Sequence, residues 1–122
     1  MLADVTVIIL TKNEEINISD CLDSINDFAK RIIIVDSKST DRTCEIAKKK
    51  GAEIFVHAFE NYARQFNWAL DNVNITTKWT FRLDADERLT PELKKELVYL
   101  MKIHDKDSIN GITMEAWLYF MG

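Results

Sequence analysis

Two patterns of hydrophobic and polar positions alternate along the chain: short apolar runs, and segments in which apolar residues recur at helical spacing. Four short runs are rich in β-branched and aromatic residues, and the first two are continuously apolar, which is typical of strands buried on both faces of a sheet. These runs cover residues 5–10, 32–35, 52–57 and 79–83. Between them, apolar residues such as Ile18, Leu22 and Ile25 recur at helical spacing. The pattern predicts four strand–helix units, followed by a further strand or strand pair over residues 109–119.

Capping residues predict where the helices begin and end. The predicted starts are marked by Asn13, by Ser39 or Thr40, by Asn61, and by Thr90 with Pro91. Gly51 predicts the end of the second helix, because glycine readily takes the left-handed conformation found after a helix. The face of the third helix that is predicted to be buried carries Tyr62, Phe66, Ala69, Leu70 and Val73.

Strands that alternate with helices predict an α/β fold with a mostly parallel sheet and helices on both faces. The length predicts a single domain over residues 1–122. In such sheets, ligands bind outside the carboxyl ends of the strands. Polar segments follow the first, second and fourth strands, at residues 11–14, 36–39 and 84–87. We therefore expect these three segments to lie along one edge of the sheet.

Composition excludes several classes of function. The net charge of −4 argues against general nucleic-acid binding, which needs a basic surface. Neither a GxGxxG nor a GxxxxGK[ST] motif occurs, so a standard dinucleotide site and a P-loop are both excluded. Cys21 and Cys44 match no zinc-binding spacing and are predicted to be free thiols. The apolar run at 5–10 is too short to span a bilayer, which favours a cytoplasmic location.

The acidic triplet Asp84-Ala85-Asp86 carries the most specific chemistry. In an extended chain its two carboxylates share one side, with Cα atoms up to ~7 Å apart. At that distance they repel by ~0.6 kcal/mol in water and by ~2–3 kcal/mol at an effective dielectric constant near 20. A Mg²⁺ or Mn²⁺ ion would remove this cost, and Mg²⁺ typically takes one or two carboxylates plus substrate phosphates. Alternatively, these acids and Glu87 solvate a turn and cap the next helix.

Asp36 directly follows the second strand and has two possible roles. A carboxylate at a strand end can accept a hydrogen bond from a nucleobase N–H or a ribose hydroxyl, as in dinucleotide-binding folds. It can equally accept backbone N–H groups of its own turn. The residue pattern alone leaves both roles open.

Four segments resemble the family 2 glycosyltransferases of the GT-A fold, and most closely the branch that includes lipopolysaccharide core glucosyltransferases. The segments are VIILTKNEE at 7–15, IIIVDSKSTDRTCEIAKKKGA at 32–52, ARQFNWAL at 63–70 and RLDADERLTPEL at 82–93. The resemblance extends over residues 5–122. The resemblance rests on the order and spacing of the four segments rather than on any single motif.

The resemblance implies a site for a nucleoside diphosphate sugar, with a UDP-sugar favoured. The residues implied to contact it are Thr11, Asn13, Glu14, Asp36, Gln65 and Asp84. Asp36 would contact the base, and Asp84 would lie near the sugar and ribose. Asp86, together with Asp84, would hold the Mg²⁺ or Mn²⁺ ion that bridges the two donor phosphates.

The chain departs from the family pattern in two respects. Lys38 stands where the family usually has glycine, so a positive φ there would strain the backbone. Family members also continue well beyond Gly122, and their later half supplies the acceptor site and an acidic general base. We therefore expect no catalytic base in this chain, and read His57 as a surface residue.

The sequence thus predicts the donor-binding part of a metal-dependent, inverting glycosyltransferase. The implied acceptor is a glycan or lipid-linked molecule of the cell envelope, at the cytoplasmic face of the inner membrane. Alternatives are a nucleotide-sugar-binding fragment without transferase activity, a nucleotidyltransferase, and an interaction domain. A nucleotidyltransferase would normally have a glycine-rich, basic loop after the first strand, unlike TKNEE. The apolar segment 113–120 predicts a homo-oligomer that pairs through it.

Overall fold

The computed structural model describes residues 2–103. Its elements are β1 (Ala3–Thr11), α1 (Ile18–Ile25), β2 (Ala29–Asp36), α2 (Thr43–Lys49), β3 (Glu53–Val56), α3 (Tyr62–Asn72), β4 (Trp79–Asp84) and α4 (Pro91–Ile103). The four predicted strand–helix units are confirmed. The strand predicted over 109–119 and the oligomerising segment 113–120 lie outside the described residues. Within residues 2–103, no helix is both long and apolar enough to cross a membrane.

The four strands form one sheet in the order β3-β2-β1-β4, and each neighbouring pair is parallel. The central strands β1 and β2 are the longest and carry the continuously apolar runs. Strands of that composition are typical of parallel sheets that are covered on both faces. The predicted α/β architecture is therefore confirmed.

Helices cover both faces of this sheet because successive residues of a strand point to opposite sides. Ile9 of β1 belongs to the core that contains Leu22 of α1 and Leu97 of α4. Its neighbour Ile8 belongs to a second core, which contains Phe66 of α3. Helices α1, α2 and α4 thus lie on one face of the sheet, and α3 lies on the other.

Three predicted helix boundaries are confirmed by their geometry. The Asn61 side chain accepts the backbone N–H of Arg64 at 2.9 Å and begins α3. Thr90 Oγ1 accepts the backbone N–H of Leu93 at 3.1 Å and begins α4. Gly51 follows α2 with φ +91°, a conformation that residues with a Cβ rarely adopt.

Two other predicted helix starts are wrong. Asn13 caps no helix, since it has φ 53° and α1 begins about one turn later. Likewise α2 begins at Thr43 rather than directly after Ser39 or Thr40. The Asp41 carboxylate accepts the Thr43 backbone N–H at 2.9 Å, so the chain makes a further turn before the helix. Both differences lengthen the loops at the carboxyl edge of the sheet.

The buried face of α3 is rotated from the predicted one. Gln65, Phe66 and Ala69 are buried, whereas Tyr62 is 61% exposed and Leu70 is 38% exposed. Tyr62 lies in the first turn of α3, close to the ends of the strands. It is therefore available at the edge where ligands bind in this class of sheet.

Candidate functional site

Strand register brings the three polar segments together at one edge. Thr11 pairs with Asp36 across β1 and β2, and Leu10 pairs with Asp84 across β1 and β4. Neighbouring strands lie about 4.8 Å apart, so the ends of β2 and β4 are separated by roughly 10 Å. The expectation of a shared polar edge is confirmed.

The Asp36 carboxylate organises the centre of this edge. It is 1% exposed, and it accepts hydrogen bonds from Thr11 Oγ1 at 2.6 Å, Ser39 N at 2.7 Å and Ser39 Oγ at 2.6 Å. Burial raises the pKa of Asp36, but hydrogen bonds from Ser39, Thr11 and Cys44 outweigh it and hold the pKa below its ordinary value. Asp36 therefore accepts hydrogen bonds from its own turn, which is one of the two roles that the residue pattern left open. Its contact with a base stays a prediction.

Hydrogen bonds join the loop after β1 to the loop after β2. Asn13 N donates to Ser39 Oγ at 2.8 Å, and Thr40 N donates to Asn13 Oδ1 at 2.8 Å. Glu14 N donates to Thr43 Oγ1 at 2.8 Å. Because Asn13 Oδ1 serves this junction, the predicted contact of Asn13 with a ligand would fall to its Nδ2 amide group. The two loops together form one hydrogen-bonded rim.

Lys38 lies in this rim with φ 57°. The left-handed conformation costs a residue with a Cβ roughly 1 kcal/mol or more, and glycine avoids that cost. We expect Lys38→Gly to be more stable than Lys38→Ala by about 1 kcal/mol, as measured by urea unfolding. Both variants lose the same ammonium group, so their difference isolates the backbone. Equal stabilities would show that this φ carries no strain.

A cavity of about 520 Å³ opens beside the rim, at the ends of β1, β2 and β3. Its lining includes Thr11, Lys12, Glu14, Ser37, Phe59 and Tyr62. The rings of Phe59 and Tyr62 meet edge to face with centroids 5.3 Å apart, and both are largely exposed. Thr11 and Glu14 were predicted site residues. The sequence reading missed Phe59 and Tyr62, although both follow β3 at the carboxyl edge.

Gln65 lies beneath this cavity rather than on its surface. It is 1% exposed, its Nε2 lies 3.0 Å from the His57 carbonyl oxygen and 3.2 Å from Ser37 Oγ, and its Oε1 lies 2.9 Å from His57 Nδ1. The His57 ring also stacks on Trp68, with centroids 4.4 Å apart. The Gln65 amide is therefore engaged by protein partners, and its contact with a nucleotide stays a prediction. His57 is half-buried in this network and is not the surface residue expected.

The acidic triplet ends β4 in a turn rather than in an extended segment. Asp84 is the last residue of the strand, and Glu87 N donates to its carbonyl oxygen at 2.9 Å. The Glu87 carboxylate in return accepts the Asp84 backbone N–H at 2.9 Å. The extended spacing assumed for Asp84 and Asp86 is thus wrong, and Glu87 closes the turn. Asp84 is half-buried, whereas Asp86 is exposed.

The three acids create a concentrated negative potential at this corner. Cys21 of α1 lies behind the turn, with its Sγ 3.7 Å from the Asp84 carbonyl oxygen. Burial raises the pKa of the Cys21 thiol to about 12; the carboxylates of Glu87, Asp86 and Asp84 add to the rise, and the Arg88 guanidinium partly opposes it. Within residues 2–103, no set of three or more His, Cys, Asp or Glu side chains is arranged to hold a metal ion. Both cysteines are free, as predicted.

Known proteins are similar to this chain in sequence and in fold. The chain is 31% identical over 118 residues to an uncharacterized glycosyltransferase of Rickettsia typhi. The match covers 97% of this chain and 40% of that protein. It is 32% identical over 103 residues to the lipopolysaccharide core biosynthesis glycosyltransferase LpsC of Rhizobium meliloti, covering 80% of this chain and 37% of that protein. The chain thus spans about two fifths of the length of these relatives.

Glucosyl-3-phosphoglycerate synthase of Mycobacterium tuberculosis, solved with Mn²⁺, UDP and glucosyl-3-phosphoglycerate, superposes with a TM-score of 0.62. The match covers 80% of this chain and 38% of the synthase at 18% identity, so it shows a shared fold alone. The Glycosyl transferase family 2 model matches residues 6–116. Together with a parallel sheet whose polar strand ends lie along one edge, this match shows that the chain belongs to glycosyl transferase family 2.

Proposed function

We propose that this chain is the donor-binding part of an inverting glycosyltransferase that uses a nucleoside diphosphate sugar, with a UDP-sugar as the favoured donor. The observation that carries the proposal is the placement of an aromatic-walled cavity and an acidic turn on the same sheet edge. The cavity lies at the β2 and β3 side, and the acids lie at the end of β4. A nucleotide spanning the edge would place its base at one end and its diphosphate at the other.

The cavity suits a planar base. Phe59 and Tyr62 line the cavity and are 49% and 61% exposed, and aromatic side chains stack on bases of any sequence. Lys12 and Lys38 lie on the rim, and Lys12 Nζ donates to the Lys38 carbonyl oxygen at 2.9 Å. These two ammonium groups outnumber the single carboxylate in the cavity lining, that of Glu14, which favours a ligand with negative charge.

The acidic turn fits a divalent cation that is shared with the ligand. A closed metal site would need more protein ligands than the described residues group together, whereas Mg²⁺ is usually held by one or two carboxylates plus phosphates. Asp86 is exposed and Asp84 is half-buried at the same turn, so these two would hold the ion. When bound, the ion would neutralise negative charge on the departing diphosphate.

Relatives support this reading of the site. The synthase of Mycobacterium tuberculosis was solved with Mn²⁺ and UDP, and LpsC is named for lipopolysaccharide core biosynthesis. From the ligands of the synthase we infer a Mg²⁺- or Mn²⁺-dependent UDP-sugar site in this chain. From the name of LpsC we infer a glycan or lipid-linked acceptor. Family membership removes the support for a nucleotidyltransferase.

The transfer itself needs groups outside the described edge. An acceptor hydroxyl would attack the anomeric carbon as the bond to the diphosphate oxygen breaks, and a general base would take the hydroxyl proton. We place that base and the acceptor site in the part of the relatives that this chain does not match. The described residues would bind and orient the donor.

Calorimetric titration with UDP, GDP and ADP, each with and without Mn²⁺, tests the proposal. We expect one nucleotide, UDP, to bind in a Mn²⁺-dependent manner. Product analysis with a UDP-sugar then separates transfer from a binding-only fragment or slow hydrolysis of the donor. Absence of binding under every condition would leave only the interaction-domain alternative.

The aromatic wall gives a more specific prediction. Tyr62→Ala should lower the affinity for UDP about 5- to 10-fold, because stacking on a base is worth roughly 1–3 kcal/mol and Tyr62 is partly solvated. Tyr99→Ala is the matched control, since Tyr99 is 65% exposed on α4 and does not line the cavity. Titration calorimetry gives both affinities. If both variants lost the same affinity for UDP, Tyr62 would not contact the base.

A further inference from the structure

A buried amide joins the end of β3 to the first turn of α3. Gln65 of α3 is 1% exposed, and both ends of its amide bind His57, the residue that follows β3. The His57 carbonyl oxygen can only accept, so the Gln65 atom 3.0 Å from it is the NH₂ group. Gln65 Oε1 then accepts from His57 Nδ1 at 2.9 Å, which requires the Nδ1–H form of the ring. One side chain therefore holds the backbone and the ring of His57 together.

His57 is also held from its other sides. Its backbone N–H donates to the Asp36 carbonyl oxygen at 2.9 Å, which extends the pairing of β3 with β2 by one residue. Its ring stacks on Trp68 of α3, with the centroids 4.4 Å apart and the planes inclined by 20°. Gln65, His57 and Trp68 thus form a clamp between the end of β3 and α3.

The connection that follows the clamp carries part of the cavity wall. Residues 58–61 are all exposed, and they link His57 to α3. Phe59 of this connection meets the ring of Tyr62 edge to face, with centroids 5.3 Å apart, and both rings line the cavity. An exposed connection makes few buried contacts of its own, so its conformation depends on how its two ends are held. The clamp joins those ends, because Gln65 lies in the first turn of α3 and His57 directly precedes the connection.

We propose that Gln65 and His57 are positioning residues of the donor site, because the clamp fixes residues 58–61 so that Phe59 stands against Tyr62 before any nucleotide binds. This inference rests on the proposed function. A wall that is ordered in advance strengthens binding, since the ligand does not have to order it. The effect of Gln65 on affinity therefore passes through Phe59. A direct contact between Gln65 and the nucleotide would instead act independently of Phe59.

The position of the wall can be tested without a ligand. Gln65→Met keeps the size of the side chain but removes its hydrogen bonds, so we expect the nuclear Overhauser cross-peaks between the rings of Phe59 and Tyr62 to be lost. Asn72→Leu is the matched control, since it removes another side-chain hydrogen bond of α3, from Asn72 Nδ2 to a backbone carbonyl oxygen at 2.9 Å, at the opposite end of the helix. The control should keep the cross-peaks. Cross-peaks of equal strength in the two variants would overturn the proposal.

A double-mutant cycle on the affinity for UDP, measured with Mn²⁺, tests the consequence for binding. We expect Gln65→Met and Phe59→Ala each to lower the affinity roughly 3- to 10-fold, and the double variant to bind no more weakly than Phe59→Ala alone. Asn72→Leu should leave the affinity unchanged. Losses that multiply in the double variant would show that Gln65 acts independently of Phe59, and would overturn its positioning role.

His57→Phe gives a second variant if thermal unfolding shows that Gln65→Met does not fold. It keeps a ring against Trp68 but lacks the ring nitrogen that binds Gln65, so it should show the same pattern with a smaller loss of affinity, roughly 2- to 3-fold. Failure of UDP to bind the unaltered chain would overturn the proposed function and the role of the clamp in donor binding. The cross-peaks between Phe59 and Tyr62 would still show separately whether the clamp positions the two rings.

Discussion

Replacing Asp86 with Asn is expected to lower the Mn²⁺-dependent affinity for UDP by at least about 100-fold, since losing even an outer-shell partner of a metal costs 10- to 100-fold. Asp86 is exposed at the turn after β4, on the same edge of the sheet as the cavity. Asparagine retains the size of the side chain but not its charge. Titration calorimetry with Mn²⁺ and UDP measures the effect.

Asp71→Asn is the matched control for Asp86→Asn, because Asp71 is an exposed acid near the end of α3, away from the turn. It should leave the affinity unchanged. Asp84→Asn should weaken binding to a smaller extent, since Asp84 is half-buried and its backbone is fixed by Glu87. If Asp86→Asn and Asp71→Asn bind UDP equally well with Mn²⁺, the metal is held elsewhere.

Asp36→Asn should destabilise the fold by about 3 kcal/mol, because hydrogen bonds to a buried charged group contribute about 1.5–3 kcal/mol each. The carboxylate accepts from Thr11 and from both the backbone and side chain of Ser39. An amide NH₂ would face some of these donors without a partner. Asp23→Asn, which removes only an exposed ion pair with Lys50, should cost less than about 1 kcal/mol. Urea unfolding at pH 7 measures both.

The same carboxylate predicts a pH dependence with a definite sign. The folded state holds the pKa of Asp36 below its ordinary value of 3.8. The contribution of the Asp36 carboxylate to the free energy of unfolding is therefore complete above pH 3.8, and it is lost as the pH falls through the lower pKa of the folded state. We expect the stability difference between the unaltered chain and Asp36→Asn to shrink below about pH 4. A difference that stays constant down to pH 2 would contradict the buried, hydrogen-bonded carboxylate.

The hydrophobic pattern was sufficient to predict the sheet. Continuous apolar runs specify strands that are covered on both faces, and β1 and β2 occupy the centre for that reason. The rule that ligands bind at carboxyl strand ends then placed Thr11, Asp36 and Asp84 on one edge. These predictions rest on periodicity and topology, which a single sequence carries.

Loop conformation was less predictable, because it depends on bonds between segments distant in sequence. Asn13 looked like a helix cap, yet its side chain is engaged by Thr40, which lies 27 residues away. Gln65 looked like a ligand contact, yet His57 and Ser37 occupy its amide. For Asn13 a local capping propensity was overridden by a tertiary partner, whereas the Gln65 contact was implied by the family resemblance and stays a prediction. Tyr62 could have been found, since it follows the carboxyl end of β3.

Anomalous diffraction from crystals containing Mn²⁺ and UDP tests the central claim most directly. We expect one manganese peak within coordination distance of the Asp86 carboxylate and of a diphosphate oxygen, with the base in the cavity beside Tyr62. A nucleotide bound without manganese at this turn, or an Asp86 carboxylate occupied by neighbouring backbone amides, would contradict the account.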